Sequence, residues 1–300
     1  MTPTNVGRSV GIALIVIVGA IWASYDIVTL GQYIPYGVVG AFLAIRRPGN
    51  LVAWLLIAIG FAIIGTTVPP DIDRAGLEAG TAPPRDFLHA WAGMWAGSAG
   101  FLLFATLAAA FPSGRLPAGR TRGAMIVVLV VAIVAIAWPA LGSPTFSLSV
   151  GATDGTTYDV EVVNLLAILP PPPFQALVED AILGTVVIFL AMVVALLTAV
   201  DRYRQADGIV RLQMRWFVAA VAGLVAGLVL GLIGTIVFGE NLILVWIPLL
   251  LAYFAVPSAV GIAITRYRLF EIDRIISRTI GWAVVTGLLV AVFTGGVVGM

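Results

Sequence analysis

The segment RYRLFEIDRIISR, residues 266–278, decides the predicted fold because it places four arginines and two acids between two long apolar runs. The apolar run before it covers about 242–264, and the run after it covers about 279–299. Runs of about 20 apolar residues have the length of a helix that crosses the hydrocarbon core of a bilayer. The sequence therefore predicts a cytoplasmic charged hinge at 266–278, lying at a membrane surface.

The hinge has the periodicity of an amphipathic helix resting on lipid headgroups. One helical face carries Leu269, Ile272, Ile275, Ile276 and Ile280, and the opposite face carries Glu271, Arg274 and Arg278. Asp273 falls at the edge of the apolar face, where an unpaired carboxylate would be costly. An arginine partner would turn the hinge into a coupling element, whereas the alternative is a simple topology anchor. The candidate coupling residues are Arg266, Arg268, Glu271, Asp273, Arg274 and Arg278.

Composition points to the same class of protein. Hydrophobic residues make up 61% of the 300 residues and charged residues only 10%, whereas soluble domains are about a quarter charged. We therefore predict an all-α, polytopic transmembrane helix bundle with a small external loop region, and the lipid bilayer as its main partner. The net charge of +1 gives no indication of nucleic acid binding, and the absence of cysteine excludes disulfides and thiolate metal sites.

Nine apolar spans can be counted along the chain, as a single integral-membrane domain covering 1–300. The first follows Arg8 without a cleavage site and is predicted to be retained. Pro35 is expected to kink the second span. The spans lie at about 9–24, 27–45, 51–68, 88–111, 123–142, 181–200, 215–238, 242–264 and 279–299.

Arginine placement predicts the orientation. All sixteen basic residues are arginines, and with a cytoplasmic N-terminus every one except Arg74 and Arg85 falls in an inner loop. This asymmetry in short loops is typical of the positive-inside rule. We expect a multi-pass protein with a cytoplasmic N-terminus.

The predicted outer face carries two sizeable loops, at 69–87 and 143–180. Within the external loop 143–180, apolar residues alternate at Phe146, Leu148 and Val150, and again from Tyr158 to Val162, around an Asp154-Gly155 turn. This pattern favours a β-hairpin. The loop is either a spacer or a small ligand-sensing lid.

Chemistry-bearing residues are scarce. Apart from Arg215 at the very start of the seventh, the predicted spans contain no Asp, Glu, Lys or Arg, which argues against ion-coupled transport and leaves a facilitator for a neutral solute open. The single histidine, His89, begins the fourth span beside tryptophans and is either part of an interfacial aromatic belt or a pH sensor. We recognise no catalytic residues, metal ligands or cofactor site in the chain.

Small residues recur every fourth position in the seventh span, from Ala219 through Gly223, Gly227 and Gly231, and cluster again in the fourth. Such residues let membrane helices approach closely. The pattern fits internal packing, and a homodimer is the alternative.

Four predicted inner-loop motifs together resemble a known family. Arg46-Arg47-Pro48-Gly49-Asn50 with Trp54 resembles the pattern RRPGNxxGW, and 111–117 resembles FPxGRLP. Residues 211–216 resemble RxQxRW, and 267–279 resembles YRLYDIDRxxxRT. In this order they are similar to the multi-span N-terminal input region of bacterial sensor histidine kinases. In physical terms the turns are rich in Pro and Gly, and Asn50 and Ser113 are candidate helix caps.

The resemblance implies a membrane-embedded signal-input module of a two-component system in the bacterial plasma membrane, responding to an unknown ligand. The pattern prefers Gly where this chain has Ala53, and Asp where it has Glu271. Full-length relatives would be histidine kinases, but the catalytic domains are not in these residues. The ninth span ends at Met300 without an interfacial anchor, so we expect the sequence to be a fragment of a longer protein.

Overall fold

The structure is a computed structural model that describes residues 3–24, 27–67, 74–116, 120–151, 157–171, 182–238 and 247–268. The chain is mostly helical, with one two-stranded antiparallel sheet in these ranges. The helices are α1 (Pro3–Ala23), α2 (Ile27–Arg46), α3 (Leu51–Thr67), α4 (Arg74–Glu78), α5 (Pro84–Ala110), α6 (Arg120–Gly142), α7 (Ile182–Gln205), α8 (Gly208–Phe238) and α9 (Ile247–Arg268). The strands are β1 (Thr145–Gly151) and β2 (Thr157–Val163).

Four of the described helices contain segments long and apolar enough to cross a membrane, judged by length and composition. These segments are Ile27–Arg46, Asp86–Ala110, Met125–Gly142 and Gly208–Gly234, and Arg8–Ala23, Leu51–Thr66 and Tyr253–Ala263 are shorter apolar helices. The chain is therefore a helical membrane protein. Each of the first eight predicted spans overlaps a described helix, and the ninth, at 279–299, lies outside the described residues. The count of nine crossings stays a prediction.

Six helices form a closed ring. Around the ring, each of α2, α3, α5, α7, α8 and α9 packs against the next, and α9 returns to α2. Helix α1 lies outside the ring against α2 and α3, and α6 lies outside it against α5 and α7. The shared apolar core includes Leu56, Leu107, Met192, Phe217 and Val260, all of them buried.

Small residues bring α3 and α5 together. A Cβ added at Gly93 would lie 2.9 Å from the Gly65 carbonyl oxygen, and one added at Gly65 would lie 2.8 Å from the Ala96 Cβ. The predicted packing role of the small residues in the fourth span is therefore confirmed. In α8 the small residues that recur every fourth position do not all face the bundle. Gly227 and Gly231 are buried, whereas Gly223 is exposed.

The predicted hairpin is confirmed, and it builds a small core of its own. Its register pairs Phe146 with Val162 and Leu148 with Val160. The buried face of the hairpin packs on Leu77 of α4 and Phe87 of α5. The predicted turn at Asp154-Gly155 lies outside the described residues. We call this side of the molecule the hairpin end.

Asn164, just after β2, fixes the hairpin to the bundle. Its side-chain nitrogen donates to the Ala140 and Ser143 carbonyl oxygens at 2.9 Å each, and its side-chain oxygen accepts from the Leu166 amide at 3.0 Å. The indole of Trp91 in α5 donates to the same Ala140 carbonyl at 2.9 Å. The hairpin, α5 and the end of α6 thus share one polar junction.

A second long-range bond closes the ring. The buried Tyr36 hydroxyl in α2 donates to the Tyr253 carbonyl oxygen in α9 at 2.6 Å. The Phe104 ring packs edge-on against both tyrosine rings. A hydrogen bond inside an apolar bundle fixes the relative position of the helices that share it.

Candidate functional site

Three tight connections meet at the end of the bundle opposite the hairpin, which we call the turn end. They join α2 to α3 at 47–50, leave α5 at 111–116, and join α7 to α8 at 206–207. The first begins α3 with a cap, because the Asn50 side-chain oxygen accepts from the Val52 amide at 3.0 Å. The Trp54 indole donates to the Pro48 carbonyl at 3.0 Å and closes the same turn. The predicted Asn50 cap is confirmed.

The second connection ends α5 and packs on the first. Phe111 is extended, as the residue before a proline prefers to be, and its peptide bond to Pro112 is cis. Gly114 has φ +71°, and a Cβ there would overlap the Asn50 side chain. The Ser113 hydroxyl accepts from the Arg115 amide at 3.3 Å, so it stabilises a turn. The expectation that Ser113 caps a helix is wrong, since α6 begins only at Arg120.

Arg202, in the last turn of α7, clasps the end of α5. Its guanidinium donates to the carbonyl oxygens of Ala109 and Phe111, the latter at 2.8 Å, and to the Ser113 hydroxyl at 3.3 Å. The last carbonyls of a helix have no partners within it and carry partial negative charge, which a cation neutralises. Partial burial lowers the pKa of Arg202 from its ordinary value, and the group stays charged at neutral pH.

Helix α8, which follows the third connection, links this junction to the last described helix. Gln213 in α8 is buried, and its side chain donates to the Ala263 carbonyl oxygen in α9 at 2.9 Å. The Phe217 ring, one turn further along α8, stacks on Phe111 with ring centroids 4.3 Å apart. Contacts therefore run from the end of α5 through α8 to the helix that leads into residues 266–278.

A cavity of about 760 Å³ opens between these three connections. Polar residues on its wall include Arg46, Arg47, Asn50, Ser113, Arg202 and Gln213, and Phe42, Leu43 and Met214 supply apolar wall. Three of the four motifs that resemble the kinase input region contribute lining residues. The motif at 46–50 supplies Arg46, Arg47 and Asn50, the motif at 211–216 supplies Gln213 and Met214, and the motif at 111–117 supplies Pro112 and Ser113. We define this space, with its lining residues, as the basic cavity.

The basic cavity carries positive charge without an acidic lining residue. The Arg46 guanidinium lies over the Phe42 ring, 5.2 Å from its centroid, and both Arg46 and Arg47 are exposed. Two described carboxylates are direct sequence neighbours of lining residues: Asp201, which accepts from the Gln205 side chain at 2.8 Å, and the exposed Asp207, which follows Ala206. The arrangement fits an anionic ligand.

The sequence-predicted coupling residues are only partly described. Arg266 and Arg268 lie in the last turns of α9, and Glu271, Asp273, Arg274 and Arg278 lie outside the described residues. Arg202 was missed as a site residue, because it was assigned to an inner loop and its acceptors are main-chain carbonyls. Residues 202–204 and 211–215 are helical. The predicted spans end at 200 and begin again at 215, which places 202–204 and 211–214 in a loop.

His89 lies at the hairpin end, away from the basic cavity. Its ring packs edge-on against Trp22 with centroids 5.3 Å apart. Within the described residues, its Nε2 and the Trp95 indole nitrogen are buried without hydrogen-bond partners. In the described part of the chain no cluster of three or more His, Cys, Asp or Glu residues could hold a metal ion.

Comparison with known proteins gives no relative: no protein-family model, curated protein or solved structure matches the chain.

Proposed function

We propose that the chain is a membrane-embedded signal-input module of the histidine kinase type, with its N-terminus and turn end in the bacterial cytoplasm. The hairpin end would then face outward and receive the stimulus. The motif resemblance and the arginine distribution support this orientation. The output would leave through α9 and the charged hinge at 266–278.

One observation carries the proposal: α5 joins the hairpin to the basic cavity as one uninterrupted helix. Its 27 residues span about 40 Å at 1.5 Å per residue. Phe87 and Trp91 near its start contact the hairpin core, and Ala109 at its end contacts Arg202. A displacement of the hairpin has a direct mechanical route to the turn end.

The polar content of the bundle supports a sensor better than a transporter. Among the described residues, the buried polar side chains are Thr29, Ser143, Asn164 and Gln213, together with the hydroxyls of Tyr33 and Tyr36, and none of them belongs to an Asp, Glu, Lys, Arg or His residue. Ion-coupled transporters place ionisable groups inside the membrane. The rival function is a channel or facilitator for a neutral solute.

A pair of neighbouring valines provides the test. Val162 is fully buried in the hairpin core, whereas Val163, the next residue, is 46% exposed. The full chain is followed by one added transmembrane helix, which returns the C-terminus to the cytoplasmic side after nine predicted spans, and then by a histidine kinase transmitter domain, in a series of fusions that differ by one residue at the junction. Autophosphorylation is then measured in nanodiscs for each alanine variant.

Signal input predicts that Val162→Ala changes the autophosphorylation rate at least about three-fold, because it loosens the packing between hairpin and α5 by about 2 kcal/mol. Val163→Ala should match the parent fusion. Equal rates for both variants in every active fusion, together with glycerol or sugar flux through reconstituted vesicles, would replace the sensor with the facilitator.

A further inference from the structure

The basic cavity has a composition that signal transfer alone does not require. Three arginine side chains line one space, and no lining residue is acidic. Arginines placed only to hold a loop at a membrane surface need no shared cavity, since each interacts with headgroups separately. Their convergence indicates one bound anion.

Arg202 offsets the partial negative charge of the nearby carboxyl end of α5, which would otherwise repel an anion from the cavity. The carboxyl end of α5 would by itself present about half a negative charge to the cavity. The Arg202 guanidinium, bound to the Ala109 and Phe111 carbonyls, brings a full positive charge to that point. The wall is therefore net positive, and its cation is held in place before any ligand arrives.

Within the described part of the chain, other donors on the wall remain unused. Arg47 is exposed, and among the described residues its guanidinium has no hydrogen-bond partner. The Asn50 side chain uses its oxygen for the Val52 amide, which leaves its NH₂ group as a donor on the wall. Planar guanidinium groups bind phosphate oxygens in pairs, so the donor set favours phosphate.

The size and the apolar part of the wall indicate what carries the phosphate. About 760 Å³ is far more than a bare phosphate fills, and is typical of sites for larger organic molecules. Phe42, Leu43 and Met214 supply apolar wall, and Ile209, beside the lining residue Val210, is 56% exposed. This combination suits a phosphate ester with an apolar part.

We propose that the basic cavity binds the phosphate of a phosphate ester, and that an anionic phospholipid is the ester that fits both its charged and its apolar walls. The ligand is recognised by Arg46 and Arg47, with Arg202 as the fixed cation. This binding proposal does not rest on the signal-input function, because lipid binding is measured without any signalling output.

Native mass spectrometry of the full chain in detergent tests the site. The probes are dioctanoyl phosphatidylglycerol, dioctanoyl phosphatidylcholine and glycerol 3-phosphate, each titrated separately. Arg47→Gln removes a cavity donor that no described residue uses. Arg204→Gln is the matched control, because Arg204 is exposed on the same helix as Arg202 but does not line the cavity.

We expect phosphatidylglycerol to bind at least five-fold more tightly than phosphatidylcholine. Arg47→Gln should weaken phosphatidylglycerol binding about five-fold, and Arg204→Gln should leave it unchanged. Glycerol 3-phosphate binding as tightly as phosphatidylglycerol, with the same loss in Arg47→Gln, would support the phosphate site and assign it to a soluble ester. Equal affinity for both lipids, or equal losses in the two variants, would overturn the proposal.

Discussion

The Arg202 guanidinium donates to the Phe111 carbonyl oxygen across 2.8 Å and 91 residues of sequence. Through this bond the last turn of α7 holds the point at which α5 ends and the connection at 111–116 begins. The same guanidinium faces the basic cavity. One side chain therefore joins the packing of the bundle to the charge of its candidate site.

Arg202→Gln should destabilise the protein by about 3 kcal/mol, because hydrogen bonds to a charged group are lost and the end of α5 loses its cation. Thermal unfolding in nanodiscs, followed by tryptophan fluorescence, measures this change. Trypsin should also cut faster after the already exposed Arg115, because a loosened connection adapts more readily to the protease. Arg204→Gln should match the wild type in both assays, and a similar loss in that control would remove the special role of Arg202.

Gly114→Ala should destabilise the turn end by about 1–3 kcal/mol, since position 114 has a positive φ and its Cβ would overlap Asn50. Gly123 is the control: it is helical with open space around it, so Gly123→Ala should be neutral or slightly stabilising. A double-mutant cycle with Asn50→Ala measures the contact. Strict additivity of the two losses would show that Gly114 and Asn50 are not coupled.

Asn164→Ala should loosen the hairpin from the bundle. It removes two donated bonds, to Ala140 and Ser143, and leaves buried carbonyls with fewer donors, at a cost of about 2–3 kcal/mol. Hydrogen–deuterium exchange of the amides in β1 and β2 should accelerate. Leu165→Ala changes an exposed neighbour and should leave the exchange rates as they are. Unchanged protection in Asn164→Ala would mean that the small apolar core alone holds the hairpin.

Asp273→Ala should change signalling output in the transmitter fusion while leaving membrane insertion intact. The expectation follows from the sequence, which places Asp273 at the edge of the apolar face of the hinge. Glu271 lies on the polar face, so Glu271→Ala should have a smaller effect. Autophosphorylation in nanodiscs measures both, and an Asp273→Ala fusion indistinguishable from its parent would leave the hinge as a topology anchor.

Features set by local pattern were predictable from the sequence. Apolar length alone located the eight long described helices but not the short α4, and alternation located the hairpin with its inward faces at Phe146 and Val162. The Asn50 cap followed from residue type at a turn. Each of these depends on residues that are near one another in the chain.

Helix ends were predicted less well, because apolar composition and helix formation are different properties. Arg, Gln and Met are good helix formers, so α7 continues to Gln205 and α8 begins at Gly208, beyond the apolar runs. Pro84 starts α5 earlier than hydrophobicity suggested, since proline suits the first turn.

The hydrogen bonds from Arg202 to the end of α5 could not be predicted from the sequence. Their acceptors are backbone carbonyls, which every residue possesses, and they are chosen by how α5 and α7 pack. The basic cavity was hidden for the same reason. Its arginines were visible as inner-loop charge, but only the closed ring of helices brings Arg46 and Arg202 to one space.

The bond from the Tyr36 hydroxyl to the Tyr253 carbonyl has a consequence for the order of biosynthesis. The two residues are 217 positions apart, so at 5–20 residues per second the ribosome needs roughly 10–40 seconds to deliver the acceptor after the donor. During that interval the phenol of a newly inserted helix must find a temporary acceptor, such as water in the translocon or a chaperone. Nascent chains stalled before position 253 should therefore leave α2 more open to quality-control proteases than completed ones.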